Sequence, residues 1–574
     1  MKFSINLENW LPKSVTSLRS YSKKDFSADI VAGITVGLVA LPLAMAFGIS
    51  SGVTPQAGIY TAVIAGFLIS ALGGSRTQIG GPTGAFVVVI AAIIAKHGLS
   101  GLLMVTIMAG MILLFLGLTG LGSAIKFIPR PVVIGFTNGI ALLIASTQIK
   151  DFLGLTGQSE VPSEFIERME WLGTNMASIN LPALLLGIAS LLVIIFFGKI
   201  SKKLPGTIVA LILATIVTAL FDLPVATIGT AFGGIPTGLP QIQMPEFRAD
   251  LIIPLFPAAL TVALLAAIES LLSAVVADSM SGDRHNSNVE LVAQGVANVV
   301  VPFFGGLPVT GAIARTATNI RSGAKSPVAG MVHALTLLCI LVFAAPLARF
   351  IPLTTLAAVL FIVAYNMGEW HEILHIIRLE AKDIVVWMIT FLLTVVADLT
   401  VAVEVGLALA ALLYIYQVTK TTRVAMITPD LVEKSRQHNL QNYTIPPYIS
   451  LVHVQGPLLF GTAEKLTDIL HDINNLNRIV ILRLRHTTAL DATGLHAIER
   501  LHSQVKATGR TFMICGARQQ PKRLLYTSTL PRVIGARNIL PNIEIALKRA
   551  EKLQQSSFNG LETETAKKLS TMRI

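Results

Sequence analysis

The chain is 574 residues long, 53% hydrophobic and only 13% charged, with a mean hydropathy of +0.70. So much apolar sequence excludes a soluble globular enzyme and marks a polytopic membrane protein. The formal net charge of +12 is spread over loops and a basic C-terminal region. No aromatic-interleaved basic stripe accompanies it, so it reads as membrane topology, with lipid as a partner and no nucleic acid.

Residues 1–27 read as a polar N-terminal arm without the apolar stretch and cleavage site of a signal peptide. Apolar spans on short loops follow over residues 28–422. They are expected near 28–49, 55–73, 83–96, 102–122, 131–150, 183–198, 206–222, 254–279, 290–304, 312–322, 327–347, 353–367, 382–397 and 399–418. That makes fourteen, several shorter than the ~20 residues of a simple spanning helix. Two glycine-rich breaks interrupt them. The first is Gly80-Gly81-Pro82-Thr83-Gly84-Ala85, before Phe86-Val87-Val88-Val89-Ile90. The second runs from Gly305-Gly306-Leu307-Pro308 through Val309-Thr310-Gly311-Ala312 into Ile313-Ala314-Arg315-Thr316. Each reads as irregular backbone followed by a short helix starting at membrane depth. Lipid tolerates such backbone only where protein buries it or it lines a cavity. Paired breaks in corresponding places mark a transporter's substrate site. Free N–H groups and positive dipole ends of two short helices suit an anion, and Arg315 adds the same sign.

Charge asymmetry sets the orientation. Alternate loops carry Arg76, then Lys126 and Arg130, then Lys199, Lys202 and Lys203, and the pattern continues to Lys420 and Arg423. The longest opposite loop carries Glu160, Glu164, Glu167 and Glu170. Positive loops face the cytoplasm, which predicts cytoplasmic N- and C-termini in an integral cell (inner) membrane protein. The first break follows span 1 by two spans, and the second follows span 8 in the same way. An odd seven spans per half forces inverted repeats. Beyond 423 the composition is that of a soluble domain, with strands over 449–454, 478–484 and 511–515 and helices near 462–473, 494–508, 518–527 and 541–553. Residues 555–574 read as a disordered tail. Cys339 lies in a span and Cys515 in the soluble part, so no disulfide is expected.

These stretches resemble the SulP family of sulfate permeases and related anion transporters, over 29–48, 80–89, 267–278, 303–323 and 397–406. The soluble part, placed at 440–554, is similar to the family's STAS domain. The resemblance implies a seven-plus-seven inverted repeat shared with nucleobase permeases. It also implies a core domain of spans 1–4 and 8–11, which holds the site and moves in an elevator-like way against a gate domain of spans 5–7 and 12–14. A homodimer and a cytoplasmic partner for the STAS domain belong to the same implication, and no cofactor or metal does. In many sulfate-carrying members a Gln follows the span-1 proline and a Ser precedes the span-10 arginine. Here Leu43 follows Pro42 and Ala314 precedes Arg315. That resembles bacterial members that carry dicarboxylates or bicarbonate. The expected substrate site comprises Thr83, Gly84, Ala85, Ala314, Arg315 and Thr316, with Leu43 and Phe86 as apolar walls.

Glu269 is a carboxylate in a span, which is costly, rare and usually functional. It is a candidate proton carrier, and a permanent Glu269–Arg315 ion pair is the structural alternative. Sodium-coupled relatives place an Asp there with a nearby Thr. This chain has Glu269 and Ser273, which favours protons over sodium. The Asp491-Ala492-Thr493-Gly494 stretch is similar to the D-x-[ST]-G loop of STAS domains, where soluble members are phosphorylated. Thr493 would be the acceptor, unless Asp491 or Thr493 merely caps the following helix. His371-Glu372-Ile373-Leu374-His375 fits H-E-x-x-H, so an intramembrane zinc protease is the enzyme alternative. It sits in a polar connection without a third ligand. The expectation is a non-enzyme: a proton-coupled secondary transporter taking up a small inorganic or carboxylate anion (dicarboxylate, bicarbonate or sulfate). Its alternatives are a sodium-coupled bicarbonate or sulfate symporter, an anion channel and a nucleobase permease.

Overall fold

The structure, a computed structural model, describes residues 10–556 apart from 19–20, 123–128, 158, 160, 163, 201–204, 235–240, 247, 379, 398, 428–444 and 470–474. Lys126, Glu160, Lys202 and Lys203, and the expected disordered tail from 557 onward, lie outside the described residues; 555 and 556 are helical. The chain divides into two compact units, Met1–Ala410 and Ala411–Ile574.

The first unit is helical. Helix α1 (Lys13–Leu18) precedes α2 (Lys23–Ser50) and α3 (Pro55–Leu72), and strand β1 (Gly80–Gly81) leads into α4 (Gly84–Leu118). Helix α4 is interrupted at Gly98, whose φ of 70° and ψ of −175° only glycine adopts freely, so it is two helices meeting where the sequence separates two spans. Next come α5 (Arg130–Leu153), α6 (Phe165–Thr174), α7 (Leu181–Ile200), α8 (Gly206–Phe221), α9 (Ile228–Phe232), α10 (Ile252–Ser281) and α11 (Ser287–Val300). Strand β2 (Thr310–Gly311) leads into α12 (Ile313–Arg321), then α13 (Val328–Phe343), α14 (Ala345–Ala348), α15 (Leu353–Met367), α16 (Trp370–Ile376), α17 (Ala381–Val396) and α18 (Leu399–Thr421), which runs on into the second unit after Ala410. Every expected span falls on helix. Among the described residues, six helices are long and apolar enough to cross a membrane, with three shorter apolar ones beside them. Their outer faces are apolar too. Along α7, Leu181, Leu185, Ile188, Leu192 and Ile195 are all exposed at helical spacing. Such a stripe suits lipid and not water.

The order helix, helix, break, helix recurs, once over α2 to α4 and once over α10 to α12. Packing follows that repeat. Helix α2 packs on α13 and α10 on α4, while α13 also packs on α3 and α4 on α11. A second group forms from α5, α7, α8, α15 and α17. The first group corresponds to the expected core and the second to spans 5–7, 12 and 13 of the expected gate. Small residues set the close approaches within each. A methyl added to Gly33 of α2 would sit 2.5 Å from the Ala329 carbonyl oxygen of α13. Gly135 and Gly139 of α5 meet α17 in the same manner. This is small-xxx-small packing, favoured where lipid supplies no hydrophobic drive between helices. Asp29, fully buried, ties the start of α2 to the start of α13. It accepts from the Lys325 N–H at 2.6 Å, from the Ser326 N–H and Oγ at 3.2 and 2.6 Å, and from the Tyr21 hydroxyl at 2.7 Å. Lys13 and Arg76 both reach Asp283, at 3.2 and 3.1 Å, so the N-terminal arm and two positive loops share one face.

The second unit is a five-stranded sheet in the order β3 (Arg423–Ile427), β4 (Ile449–Gln455), β5 (Ile479–His486), β6 (Thr511–Cys515), β7 (Ile539–Leu540). Strand β3 is antiparallel to β4 and the others run parallel. Helices α19 (Glu464–Thr467), α20 (Ala492–Ala507), α21 (Gln519–Thr527) and α22 (543–556) surround it. Alternation along the strands builds two cores. Val480, Leu482 and Phe512 face Ile498 and Leu501 of α20, while Ile479, Ile481 and Met513 face Ile543 and Ala546 of α22. The sheet starts at Arg423, upstream of the expected boundary at 440. A five-residue edge strand directly after the last span carries too little pattern to be seen. Burial pushes the Cys515 thiol up to about 12, so it stays protonated and inert.

Asp491 is the N-cap of α20. It accepts from the Gly494 N–H at 2.8 Å and, through its other oxygen, from the Phe460 N–H at 2.9 Å. Thr493 is exposed and makes no cap. Asp491→Ala is therefore expected to cost about 1 kcal/mol locally, and to speed hydrogen exchange of the first turn of α20 about fivefold. Thr493→Val should leave that exchange unchanged. An equal effect of both substitutions would contradict this division of roles.

Candidate functional site

Irregular backbone at membrane depth needs a partner for every N–H and C=O. Buried side chains supply them here. Around the first break, Glu290 accepts from the Gly74 N–H at 2.9 Å, and Asn319 donates to the Thr77 carbonyl at 2.9 Å. The Ile79 N–H donates to Thr316 Oγ1 at 3.0 Å, and Gln78 Nε2 donates to the carbonyl and the hydroxyl of Ser270, both at 3.1 Å. Around the second, Asn298 takes both backbone groups of Val309 at 2.9 Å. Thr61 Oγ1 accepts from the Leu307 N–H at 2.8 Å, and Thr310 Oγ1 donates to the Ala266 carbonyl at 2.7 Å.

The two breaks then pair with each other. Strands β1 and β2 are antiparallel, with Gly80 opposite Gly311 and Gly81 opposite Thr310. Each strand is followed within a few residues by a helix N-terminus, α4 at Gly84 and α12 at Ile313. At neither N-cap residue, Thr83 or Ala312, does a side chain accept a hydrogen bond from the first-turn N–H groups of its helix. The first-turn N–H groups therefore retain their capacity to bind an anion. Thr83 instead donates its hydroxyl to Glu269 Oε2 at 2.9 Å. Arg315, 3% exposed, donates through Nη2 to the Pro82 carbonyl, while its Nη1 has no partner among the described residues. Gly81, at φ 144°, makes room for it: a methyl there would lie 2.7 Å from Arg315 Nη1.

These groups border a cavity of about 300 Å³ between the two helix groups. Leu43, Thr83, Gly84, Ala85, Glu269, Ala314 and Arg315 line it. The other three expected residues lie behind it. Phe86 is fully buried in the apolar core, and Phe47 and Phe136 form the aromatic walls. Thr316 and Ser273 are buried and bonded to each other at 3.1 Å. No ion pair joins Glu269 to Arg315; each engages the first break. A second cavity, of about 790 Å³, is bordered by Gln56, Tyr60, Gln241 and Gln243 and has no charged side chain among its described lining.

Of the supporting polar residues, Thr316 is among those expected from sequence, whereas Gln78, Glu290, Asn298, Asn319, Thr61 and Thr310 are not. Glu290, Gln294 and Asn298 recur every fourth residue along an otherwise apolar helix, a polar stripe that was there to be read. The H-E-x-x-H motif forms helix α16, but its Glu372 is paired with Arg130 at 2.7 Å and its His371 points largely into solvent. No cluster of three or more metal-ligating side chains occurs among the described residues.

The model of the sulfate permease family matches residues 26–390, and that of the STAS domain matches residues 441–546. The chain belongs to the sulfate permease family. It is 41% identical over 524 residues to the putative sulfate transporter YvdB of Bacillus subtilis, covering 90% of this chain and 96% of that protein. It is 32% identical over 541 residues to the bicarbonate transporter BicA of Synechocystis, covering 92% and 94%. The solved transmembrane domain of a cyanobacterial BicA superposes with a TM-score of 0.60 at 33% identity, over 68% of this chain and 98% of that one. The structure of SLC26A9 shares the fold, with a TM-score of 0.84 at 18% identity over 96% and 94%. The protein is thus a multi-pass membrane transporter and not an enzyme.

If Arg315 and the two helix N-termini hold the cargo together, Arg315→Ala removes a charge-assisted contact worth about 1.5–3 kcal/mol. The dissociation constant for the bound anion should rise roughly ten- to a hundredfold in the purified variant. Unchanged affinity in a folded variant would place the site elsewhere.

Proposed function

We propose that this protein is a secondary active transporter that takes up a small anion together with a proton. The carrying observation is the convergence on one cavity of two side-chain-uncapped helix N-termini, a guanidinium nitrogen without a partner among the described residues, and the Glu269 carboxylate held by Thr83. The first three attract an anion, and the last can take up and release a proton beside it. Sulfate and bicarbonate, which appear in the names of the relatives, are the leading cargoes, with dicarboxylates the third class. The apolar walls exclude water from the bound ion, which strengthens each remaining electrostatic contact.

Alternating access follows from the cavity's position. One wall belongs to the helix group that carries the breaks and the other to α5 and α15. Sliding of the first group against the second carries the ion across in an elevator-like way. Fourteen crossings in a seven-plus-seven inverted repeat, with the transport region over 28–422, would bring both termini to the same side of the inner membrane, which we assign to the cytoplasm. The charge pattern of the loops supports this orientation. The STAS domain then lies in the cytoplasm, open to a partner protein, and the transporter works as a homodimer.

The test is uptake by reconstituted vesicles of sulfate, bicarbonate, fumarate and succinate, with and without an inward proton gradient. One of these anions should accumulate, faster with the gradient than with a sodium gradient. Glu269→Gln should retain binding and lose acceleration by the proton gradient. Wild-type gradient dependence in that variant would refute the coupling role, and anion current without accumulation would identify a channel.

A further inference from the structure

Charged side chains on the cavity wall are few: Arg315, Glu269 and Glu369. Glu369 was not singled out by sequence, and the transport reading above does not use it. It follows α15, at the position just past the helix end where chains commonly turn left-handed and place glycine. Its φ and ψ are both 41°. Only one other described non-glycine residue, Asp222, has a positive φ. Asp222 is the C-cap of α8 and has a short polar side chain, which tolerates that conformation. A long glutamate does not have that excuse.

A glycine is present one residue earlier, but it is committed to another task. A methyl on Gly368 would lie 2.3 Å from the Trp370 indole, and the Gly368 carbonyl accepts from Asn138 Nδ2. Asn138 is in turn held by Trp387 Nε1 at 2.9 Å. Glu369 therefore carries the left-handed turn on a rigid support. Its carboxylate has no ion-pair partner among the described residues, whereas Glu372 nearby is neutralised by Arg130 at 2.7 Å. Strained backbone retained beside a cavity is a mark of a functional residue.

The geometry points to Glu369 as a specificity-determining residue that biases the cavity toward monovalent anions and against dianions; this rests on the transport reading of the same cavity. With both carboxylates ionised, the wall carries one positive and two negative charges. Repulsion from the Glu369 carboxylate, which is exposed and in part screened by water, grows in proportion to the ligand's charge. Across a cavity of this size, roughly 8–10 Å, one unit of ligand charge changes affinity on the order of tenfold at an effective dielectric of ~20. A dianion meets that factor twice.

The experiment is binding of bicarbonate and of sulfate to the full-length protein in nanodiscs at low ionic strength. The wild type is compared with Glu369→Gln, Glu369→Gly and Glu369→Asp, with Arg315→Ala alongside. Removing the charge should lower the sulfate dissociation constant roughly tenfold more than the bicarbonate one. Glu369→Gly should give the same change in ratio and a higher melting temperature, because glycine adopts the turn without strain, and so it guards against a misfolded Gln variant. Glu369→Asp should keep the wild-type ratio. An unchanged ratio in the Gln and Gly variants, with binding still dependent on Arg315, overturns the role of Glu369 alone. Binding that ignores Arg315 overturns the cavity as the anion site.

Discussion

Backbone that leaves the helix inside a membrane must find every hydrogen-bond partner within the protein, because lipid offers none. Much of the transport unit answers that constraint. The breaks at 80–85 and 305–312 are tolerable only because they pair as β1 and β2 and because Gln78, Glu290, Asn298, Asn319 and Thr310 take up the surrounding backbone groups. Those residues are themselves buried: Glu290 and Asn298 stand on α11 and Asn319 on α12, while Gln78 and Thr310 bond to Ser270 and Ala266 of α10, so the three helices are held to the breaks. The two helix N-termini that result are fixed in position before any ion arrives. Anion binding there, as proposed, would need little reorganisation, which is what pre-organisation contributes to affinity.

The division into two helix groups follows from a different economy. Within each group, glycine pairs on α2 and α5 bring backbones into contact, so dispersion and packing do the work that hydrophobic burial cannot do in lipid. Between the groups lies a cavity with apolar walls such as Leu43, Phe47, Phe136 and Val363. Apolar walls interlock weakly and can slide, whereas the polar network behind the breaks cannot be sheared without stranding buried donors. In the proposed transport cycle, motion is thereby directed to that boundary. The charges at that boundary come from both sides, Arg315 and Glu269 from one and Glu369 from the other. In the proposed cycle, movement of one group past the other would change the field at the ion.

Much of this was legible in the sequence because the relevant signals are local. A glycine-rich stretch inside an apolar run announces a break wherever it occurs, and the spans on either side of 80–85 and 305–312 fell on helix. The alternation in 449–454 and 511–515 announced strands for the same reason. What escaped was set by contacts distant in sequence. Nothing local says that Gly80 lies opposite Gly311, that Thr83 spends its hydroxyl on Glu269, or that Phe86 turns into the core while Phe47 faces the cavity. The side-chain direction of Phe86 depends on where one turn of α4 begins, which pattern alone fixes only to within a few residues. Glu369 was invisible because its importance rests on a backbone angle.

The central claim is that an anion binds between the N-termini of α4 and α12 against Arg315. The most direct measurement is a density map of the full-length protein in nanodiscs with perrhenate, an electron-dense monovalent oxyanion. A peak is expected with its oxygens about 2.7–3.2 Å from Arg315 and from first-turn N–H groups at Gly84–Ala85 and Ile313–Ala314, lost in Arg315→Ala. A peak in the uncharged second cavity by Tyr60 and Gln243, with none beside Arg315, would contradict it.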